Sequence, residues 1–392
     1  MIRSKIERLV SNFEQKCKGP IQGSEEWLAL RIPSKNKKRG RIGGSEVGTL
    51  LGVNPWKKIK ELMLQKQGKK KSVVDNIMVH LGSLLEEVTV LVFEQKFNTK
   101  VYAKNVSIID PSNLNDFIFS PDGIALLPRV NNKVILEPIK EDSMCCPVLI
   151  EIKNPWSRKL TQDGNVPPEY MAQIQAGLIS IPLVHCGIFI DCATKLCAYE
   201  QLFSTGFNNI LHDKYQPPNA DEVISKGVIL FTGKLPSKFW KKDCSIIEIE
   251  DKRIYDFGDC AYMNTFAVVK GIKEKILDVE YLPVFTSDED KYIEIINNKI
   301  KNSKTIGIMC YKVFDISYTI CNREKDIIKD IRTQLNKYSQ GELDIDEDYV
   351  PRKRKRSPSA NAMPNLVFDF DSDSDKEKKT EKEEEFSFDI DY

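Results

Sequence analysis

Histidine is nearly absent, with only His80, His185 and His212 in 392 residues. The ten cysteines include no Cys-x-x-Cys pair; Cys145 and Cys146 are adjacent, and Cys186, Cys192 and Cys197 follow no cluster spacing. Zinc or iron–sulfur chemistry would therefore lack its soft ligands, and His185, inside an apolar run, is expected to be a core histidine. No apolar stretch reaches the ~18 residues of a membrane span, so a membrane is not an expected partner. The start, MIRSKIERLVSNFEQK, lacks the apolar centre and small-residue cleavage site of a secretion signal. It reads as an amphipathic helix with Ile2, Ile6, Leu9, Val10 and Phe13 on one face. Cysteines without an export signal are expected to be reduced thiols in an intracellular compartment. Internal repeats are missing too. What is present, 41% hydrophobic and 29% charged residues, excludes a chain disordered throughout.

The net charge of +1 hides an asymmetry: residues 1–71 carry 18 Lys and Arg against 6 Asp and Glu. Such a segment suits a polyanionic partner, and equally a solvated lysine-rich surface. The other extreme is the tail. From about residue 347 the chain is low-complexity Ser, Asp, Glu and Lys, with too little apolar area to offset the entropy of ordering it. The basic block Arg352, Lys353, Arg354, Lys355 and Arg356 resembles a nuclear import signal. The expected organisation is a helix at 1–20, a main domain at 21–205, an accessory α/β region packed on it at 206–346, and a disordered basic-then-acidic tail at 347–392.

Periodicity predicts helices over 1–16, 57–66 and 77–96, the last with Leu81, Leu84, Leu85, Val88, Leu91 and Val92 at helical spacing. Ser45 is placed to cap a helix over Glu46–Leu51 that stops at Gly52. Strands are expected over Lys100–Ile109, Phe117–Leu127, Val148–Lys153, Val184–Ile190 and Cys197–Phe203, with a helix over Glu169–Ile179. Beyond 205 the pattern predicts helices at 220–229, 288–302 and 323–338 and one strand, Tyr311–Ile320. Phe239-Trp240, before Lys241-Lys242, is expected to be core with a basic rim. The fold class is α/β, a mixed sheet covered by helices.

Four pieces carry chemistry: Gly82-Ser-Leu-Leu-Glu86 on the long helix, Ser120-Pro-Asp122-Gly123 after a strand, Glu151-Ile-Lys153 ending an apolar strand, and Tyr170-Met-Ala-Gln173-Ile-Gln175 on the next helix. In a strand, positions i and i+2 share a face, so Glu151 and Lys153 emerge together while Ile152 turns away. So apolar a strand makes a charged pair costly unless it is used. Hard oxygens on rigid strand ends suit Mg²⁺, and a lysine beside a metal-held water suits phosphodiester hydrolysis.

These motifs resemble the lambda exonuclease and YqaJ viral recombinase group of the PD-(D/E)XK nucleases. Two further pieces extend the resemblance over roughly 21–205: Gly23-Ser-Glu-Glu-Trp27-Leu-Ala-Leu-Arg31 and Arg41-Ile-Gly-Gly-Ser45-Glu-Val-Gly-Thr-Leu-Leu-Gly52. It implies a restriction-endonuclease-like core and a metal-dependent exodeoxyribonuclease of the viral alkaline type. That enzyme acts on double-stranded DNA ends, 5′ to 3′, and leaves 3′ single strands for recombination, replication or repair. It implies Asp122, Glu151 and the Ile152 carbonyl as metal ligands, Glu86 as a further one, and Lys153 as activator of the attacking water. Gln173 would orient the water or the lysine, Gln175 being the lesser candidate. Two Mg²⁺ ions per site, replaceable by Mn²⁺, are implied. So is a 5′-phosphate pocket of Trp27, Arg31 and Ser45, with Arg41 in reserve. Implied partners are a single-strand annealing or single-strand-binding protein and, by analogy, two further copies in a trimer. A host nucleus or viral replication site is the expected location. One departure stands out: Ile32–Gly40 intervenes between Arg31 and the serine-bearing turn, so Arg39 or Arg41 is an alternative to Arg31. A structure- or site-specific endonuclease, or a DNA-end clamp without cleavage, remains the competing expectation.

Overall fold

The structure of the chain is a computed structural model. It describes residues 3–17, 19–70, 77–104, 106–155, 159–161, 164–204, 223–234, 244–249, 251–260, 268, 271–272, 275–284 and 288–345. Arg352–Arg356, the rest of the tail and Phe239–Lys242 lie outside them. The first part is helical: α1 (Arg3–Lys16), α2 (Glu25–Leu30), α3 (Val47–Leu50), α4 (Ile59–Lys66) and α5 (Ile77–Phe97), with the short strand β1 (Ile42–Gly43) before α3. Six strands follow: β2 (Val101–Tyr102), β3 (Ile108–Ile109), β4 (Phe117–Phe119), β5 (Gly123–Val130), β6 (Lys133–Val134) and β7 (Cys145–Lys153). Helix α6 (Pro168–Ser180) then leads to β8 (Gly187–Cys197), β9 (Ser225–Gly233), β10 (Cys244–Ile249), β11 (Lys252–Cys260) and β12 (Leu277–Pro283). Helix α7 (Glu289–Asn302), β13 (Thr305–Cys321) and α8 (Lys325–Gln340) complete the order.

One ten-stranded mixed sheet organises these elements, with neighbours β10-β11-β13-β8-β7-β5-β2; β9 also pairs with β13 and β12, and β6 with β5. β7 and β8 run parallel, and α6 is the crossover such a pair requires. β13 spans the join: Thr305–Val313 pairs with β9, and Cys310–Cys321 with β8. Strands from 206–346 thus extend the sheet that carries Glu151 and Lys153. The α/β class, a central mixed sheet flanked by helices, is what the structure shows.

Helix α5 is buried on two sides, which is why its apolar residues outnumber one face. Leu81, Leu84, Leu85 and Val88 pack with Phe231, Met309 and Tyr311 of the later strands. Val90, Phe93 and Phe97 pack with Val148, Ile150 and Ile152 of β7. On the opposite face of the sheet α6 lies close enough that a Cβ at Gly177 would come 2.4 Å from Leu149 Cδ2 and 2.5 Å from Phe119 Cζ. Any side chain there would lift the helix off the sheet.

Several expectations need correction. The segment Val184–Ile190 and the segment Cys197–Phe203 are not two strands: β8 runs through Cys197 and Tyr199–Gln201 is a 3-10 turn. Polar residues inside β8 suggested a break, yet Asp191 is buried, accepting hydrogen bonds from Thr161 N at 2.8 Å and Thr161 Oγ1 at 3.0 Å. Residues 225–229, expected helical, belong to β9. Lys100–Ile109 holds two short strands, and Phe117–Leu127 is interrupted before Gly123. His185 is exposed, with Nε2 2.9 Å from the Arg129 guanidinium, and is no core histidine. Ser45 caps nothing: it lies within the 3-10 turn Gly44–Glu46, and α3 is only four residues long.

Candidate active site

The end of β7 and the turn before β5 bring the first cluster together. β5 and β7 are antiparallel neighbours, so Gly123 faces Ile150 and the preceding Asp122 reaches the strand end. Asp122 Oδ2 accepts a hydrogen bond from Ile152 N at 2.7 Å. Glu151 and Lys153 share a face, and the Lys153 ammonium donates to Glu151 Oε1. Ile152 is buried in the apolar layer on the other side. Glu151 is fully buried, and its Oε2 has no hydrogen-bond partner. Lys153 Nζ also lies 5.2 Å from the centre of the Tyr170 ring on α6. Gln173 is buried on α6. Gln175 bonds the chain between β13 and α8 instead, donating to Asn322 O at 2.7 Å and accepting from Glu324 N at 3.0 Å.

Glu86 joins from α5. A cleft of about 470 Å³ is lined by Glu86, Asp122 and Ile152 together with Ser83, Lys104 and Tyr281. Two contacts not foreseen from sequence hold α5 in place. Asn154, just past Lys153, accepts from Thr89 Oγ1 at 2.9 Å and donates to Gly82 O at 3.4 Å, gripping the helix on either side of Glu86. Tyr281 of β12 donates its hydroxyl to Leu84 O at 2.7 Å. Asn154 directly follows the Glu-x-Lys motif, a signal that local reading could have used; Tyr281 carried none.

Negative charge is in excess here. Burial, reinforced by Asp122, pushes the Glu86 carboxyl up to about 8. Burial and then Asp122 push Glu151 to about 8, against the opposing Lys153. Asp122 is raised by burial against Lys153 and the Ile152 amide. The Lys153 ammonium is held protonated: burial opposes it, but Glu151, Asp122 and Glu86 outweigh burial. Among the described residues no three His, Cys, Asp or Glu side chains form a ready-made metal cage. The donor set nevertheless fits a hard cation that keeps its own waters, because two carboxylates and a strand-end carbonyl are at hand and Glu151 Oε2 is unpartnered.

A second cluster has the opposite balance. Glu46 Oε2 lies 2.9 Å from Arg31, 2.7 Å from Lys66 Nζ and 2.8 Å from Gly43 N, which donates to it. The Arg31 guanidinium carbon sits 4.5 Å from the Trp27 ring centre. A Cβ at Gly43 would approach that carbon to 2.9 Å, so only glycine leaves the arginine its place. Burial alone would raise Glu46, but Arg31, Lys66 and the Gly43 amide together hold it at about 2. Ser45 stands exposed on the same turn. So short an α3 has no appreciable dipole to lend; the positive charge comes from Arg31 and Lys66. Lys66, buried on α4 and also bonded to Arg41 O at 2.7 Å, was not foreseen from sequence.

The inserted loop sends the three arginines to different places. Arg41 N donates to Leu30 O at 2.8 Å, and Ser34 and Lys37 pair with each other, so Ile32–Gly40 buds out and closes on itself. Arg41 is tied to Asp110, 2.9 Å between charged atoms. Arg39 points to the end of α8, 3.1 Å from Asp344 and 3.2 Å from Ser339 O. Arg31 alone of the three stays with Trp27. Trp27 Nε1 in turn donates to Ser120 Oγ at 3.2 Å, two residues before Asp122, and so ties the two clusters together.

A mixed sheet with an aspartate at a strand-entry turn and a Glu-x-Lys pair on the adjoining strand is the arrangement that the resemblance to the PD-(D/E)XK nucleases implies. Residues 26–181 match the family model of the YqaJ-like viral recombinase domain. A protein of African swine fever virus (strain Badajoz 1971 Vero-adapted) is 30% identical over 226 residues, covering 54% of this chain and 60% of the viral protein. The match therefore spans less than two thirds of that relative's length. The "Uncharacterized protein YqaJ" of Bacillus subtilis (strain 168) is 28% identical over 160 residues, covering 41% of this chain and 43% of its own. Among solved structures, an alkaline exonuclease (LHK-Exo) from Laribacter hongkongensis aligns at 21% identity over 43% of this chain and 73% of its own, with a TM-score of 0.28.

Proposed function

We propose that this chain is a metal-dependent nuclease that hydrolyses one strand of double-stranded DNA from its 5′ end, leaving a 3′ single strand. The observation that carries this reading is the juxtaposition of two clusters: a buried, cation-deficient carboxylate set at Asp122 and Glu151, and a cation-rich set at Arg31 and Lys66, linked through Trp27 and Ser120. The first suits a divalent cation, the second a terminal phosphate. The family supports a nuclease acting on DNA.

Asp122, Glu151 and the Ile152 carbonyl would hold a divalent ion such as Mg²⁺ or Mn²⁺, with Glu86 reaching it or a second ion through water. Such an ion supplies positive charge against the negative charge that develops on the phosphoryl oxygens. If the carboxylates held such an ion, Lys153 would lose the charges that hold its proton. Its Nζ would then take a proton from the attacking water as the water oxygen bonds to phosphorus, and the phosphorus–oxygen ester bond would break with its electron pair on the leaving oxygen, which takes a proton from solvent. Gln173 on α6 would orient that water. Trp27 and Arg31 receive the terminal 5′ phosphate by a charge-assisted bond, with the exposed Ser45 hydroxyl beside them.

The 3′ strand so produced would pass to a single-strand annealing or single-strand-binding protein. Arg352–Arg356 would direct the chain to a host nucleus; a tagged chain with these five residues changed to Ala should lose nuclear accumulation, and unchanged accumulation refutes the import role. The substrate is tested with linear duplexes bearing 5′-phosphate or 5′-hydroxyl, beside closed circular DNA. Preferential loss of the 5′-phosphorylated linear form is expected. Equal digestion of all three supports the endonuclease reading instead, and binding without digestion supports the end clamp.

A further inference from the structure

Trp56 stands 87% exposed, more than any other large apolar side chain among the described residues. The loop that presents it is firmly built. Asn54 Oδ1 accepts from Trp56 N at 2.8 Å and from Lys57 N at 3.3 Å, and Asn54 Nδ2 donates to Thr49 Oγ1 at 3.0 Å. Val53 N and Asn54 N both donate to Gly48 O, at 2.9 and 3.1 Å. This side-chain turn is the usual way an asparagine mimics a backbone turn. It uses only the backbone N–H of Trp56, so the indole is not needed to hold the loop.

The same bonds fix where the loop, and so the Trp56 backbone, stands. Gly48 is two residues past Glu46, so the loop doubles back to the start of α3, beside the cluster of Arg31, Glu46 and Lys66. The next residue, Lys57, comes within electrostatic reach of both Glu46 and Arg31. Lys58 follows at the entrance to α4. A solvent-facing aromatic on a hydrogen-bonded loop, followed directly by two lysines, is a combination that binds single-stranded nucleic acid: the charges hold phosphates and the ring stacks on a base.

We propose that the Trp56 indole is a stacking platform for an unpaired nucleobase at the DNA end, at a rim where Lys57 and the Arg31 and Lys66 cluster attract the neighbouring phosphates. This deepens the nuclease reading and rests on it. The ligand is a frayed or single-stranded terminus of any sequence, since every base offers a π-face.

The test is equilibrium binding by the full chain in EDTA, where no cleavage competes. The probes are a labelled oligothymidylate, a duplex with a 5′-phosphorylated single-stranded end, and a blunt duplex of equal length. Trp56→Ala should bind the first two about tenfold more weakly, within the range of one lost base stack, and the blunt duplex almost as well as wild type. Trp56→Phe should keep most of the affinity. Wild-type tryptophan fluorescence should be quenched by oligothymidylate, and Trp56→Phe should lose most of that quenching. The slope of log affinity against log salt should not change, because no charge is removed. Equal binding by wild type and Trp56→Ala overturns the platform while leaving the nuclease reading intact. An equal loss on all three probes overturns stacking on an unpaired base. A wild type that binds none of them overturns both.

Discussion

Glu151 and Glu46 are both glutamates packed beside a lysine, yet their surroundings drive them in opposite directions. Glu151 shares one ammonium with Asp122 and Glu86, and its carboxyl rises to about 8. Glu46 shares an arginine, a lysine and a backbone amide with no other carboxylate, and it falls to about 2. The difference shows that burial alone does not decide the state of a carboxyl; the count of charges around it does. One cluster is short of a cation and the other has a cation to spare. On the proposed reading, metal and phosphate are the ligands that would complete them.

The largest effect should come from breaking the first cluster. Glu151→Gln keeps the shape but removes a charged ligand, and cleavage should fall roughly a thousandfold or more if several kcal/mol of transition-state stabilisation are lost. The melting temperature should hold or rise, since the amide has no charge for burial to oppose; a rate within tenfold of wild type would contradict the assignment. Lys153→Arg should also lose most activity, because arginine keeps the charge but does not give up its proton.

Breaking the second cluster should act on recognition. Arg31→Ala removes a charge-assisted contact typically worth ~1.5–3 kcal/mol, so preference for a 5′-phosphate over a 5′-hydroxyl end should shrink roughly tenfold to a hundredfold. Slow cutting should remain. Competition between the two duplex ends measures this, and an unchanged preference would refute the pocket.

The two glutamates also predict opposite pH responses. For Glu151 and Glu86 the folded carboxyl keeps its proton where the unfolded one, with an ordinary value near 4.5, has lost it. The folded state binds more protons between about 4.5 and 8, so their contribution to stability falls as pH rises through that window. Glu46 has the reverse sign: its stabilisation is present above about 4.5 and is lost as pH falls towards 2. Melting curves in EDTA should show Glu151→Gln flattening the decline between pH 5 and 8. Glu46→Gln should flatten the decline below pH 4.5. Identical slopes for both variants would erase the distinction.

The smallest expected effect sharpens the first cluster from outside. Tyr281→Phe removes one hydrogen bond to Leu84 O, a loss of ~1 kcal/mol. Because that bond steadies the helix carrying Glu86, the divalent-ion concentration for half-maximal rate should rise several-fold while the saturating rate changes little. A fall in the saturating rate with no change in metal requirement would show that Tyr281 acts otherwise.

Much of the first cluster was legible in sequence because its logic is local. Glu151 and Lys153 share a strand face by period two, and a strand as apolar as β7 made their charges conspicuous. Asp122 sat between Pro121 and Gly123, at a break between strands. The second cluster was legible only in part. Trp27 and Arg31 lie one helical turn apart, but Lys66 arrives from α4 and Glu46 had no visible partner until the chain folded. Tyr281, nearly two hundred residues from Leu84, is wholly a product of the sheet. The later strands β9 to β12 were missed because much of their pairing is with each other and with β13, at distances local periodicity does not encode. Asp191 and Lys195 inside β8 looked like a loop because strand patterns assume that polar residues face water.

The charge account is tested most directly by calorimetric titration of Mn²⁺ or Mg²⁺ into the metal-free chain near pH 7.5, repeated in buffers of different ionisation enthalpy. Wild type should take up the ion and release protons, because carboxyls titrating near 8 are still partly protonated there and must give up protons to become ligands. Glu151→Gln should bind far more weakly and release fewer protons, while Glu46→Gln should match wild type. Ion uptake by Glu151→Gln equal to wild type, or uptake by wild type without proton release, would contradict the claim that this buried set is a cation site.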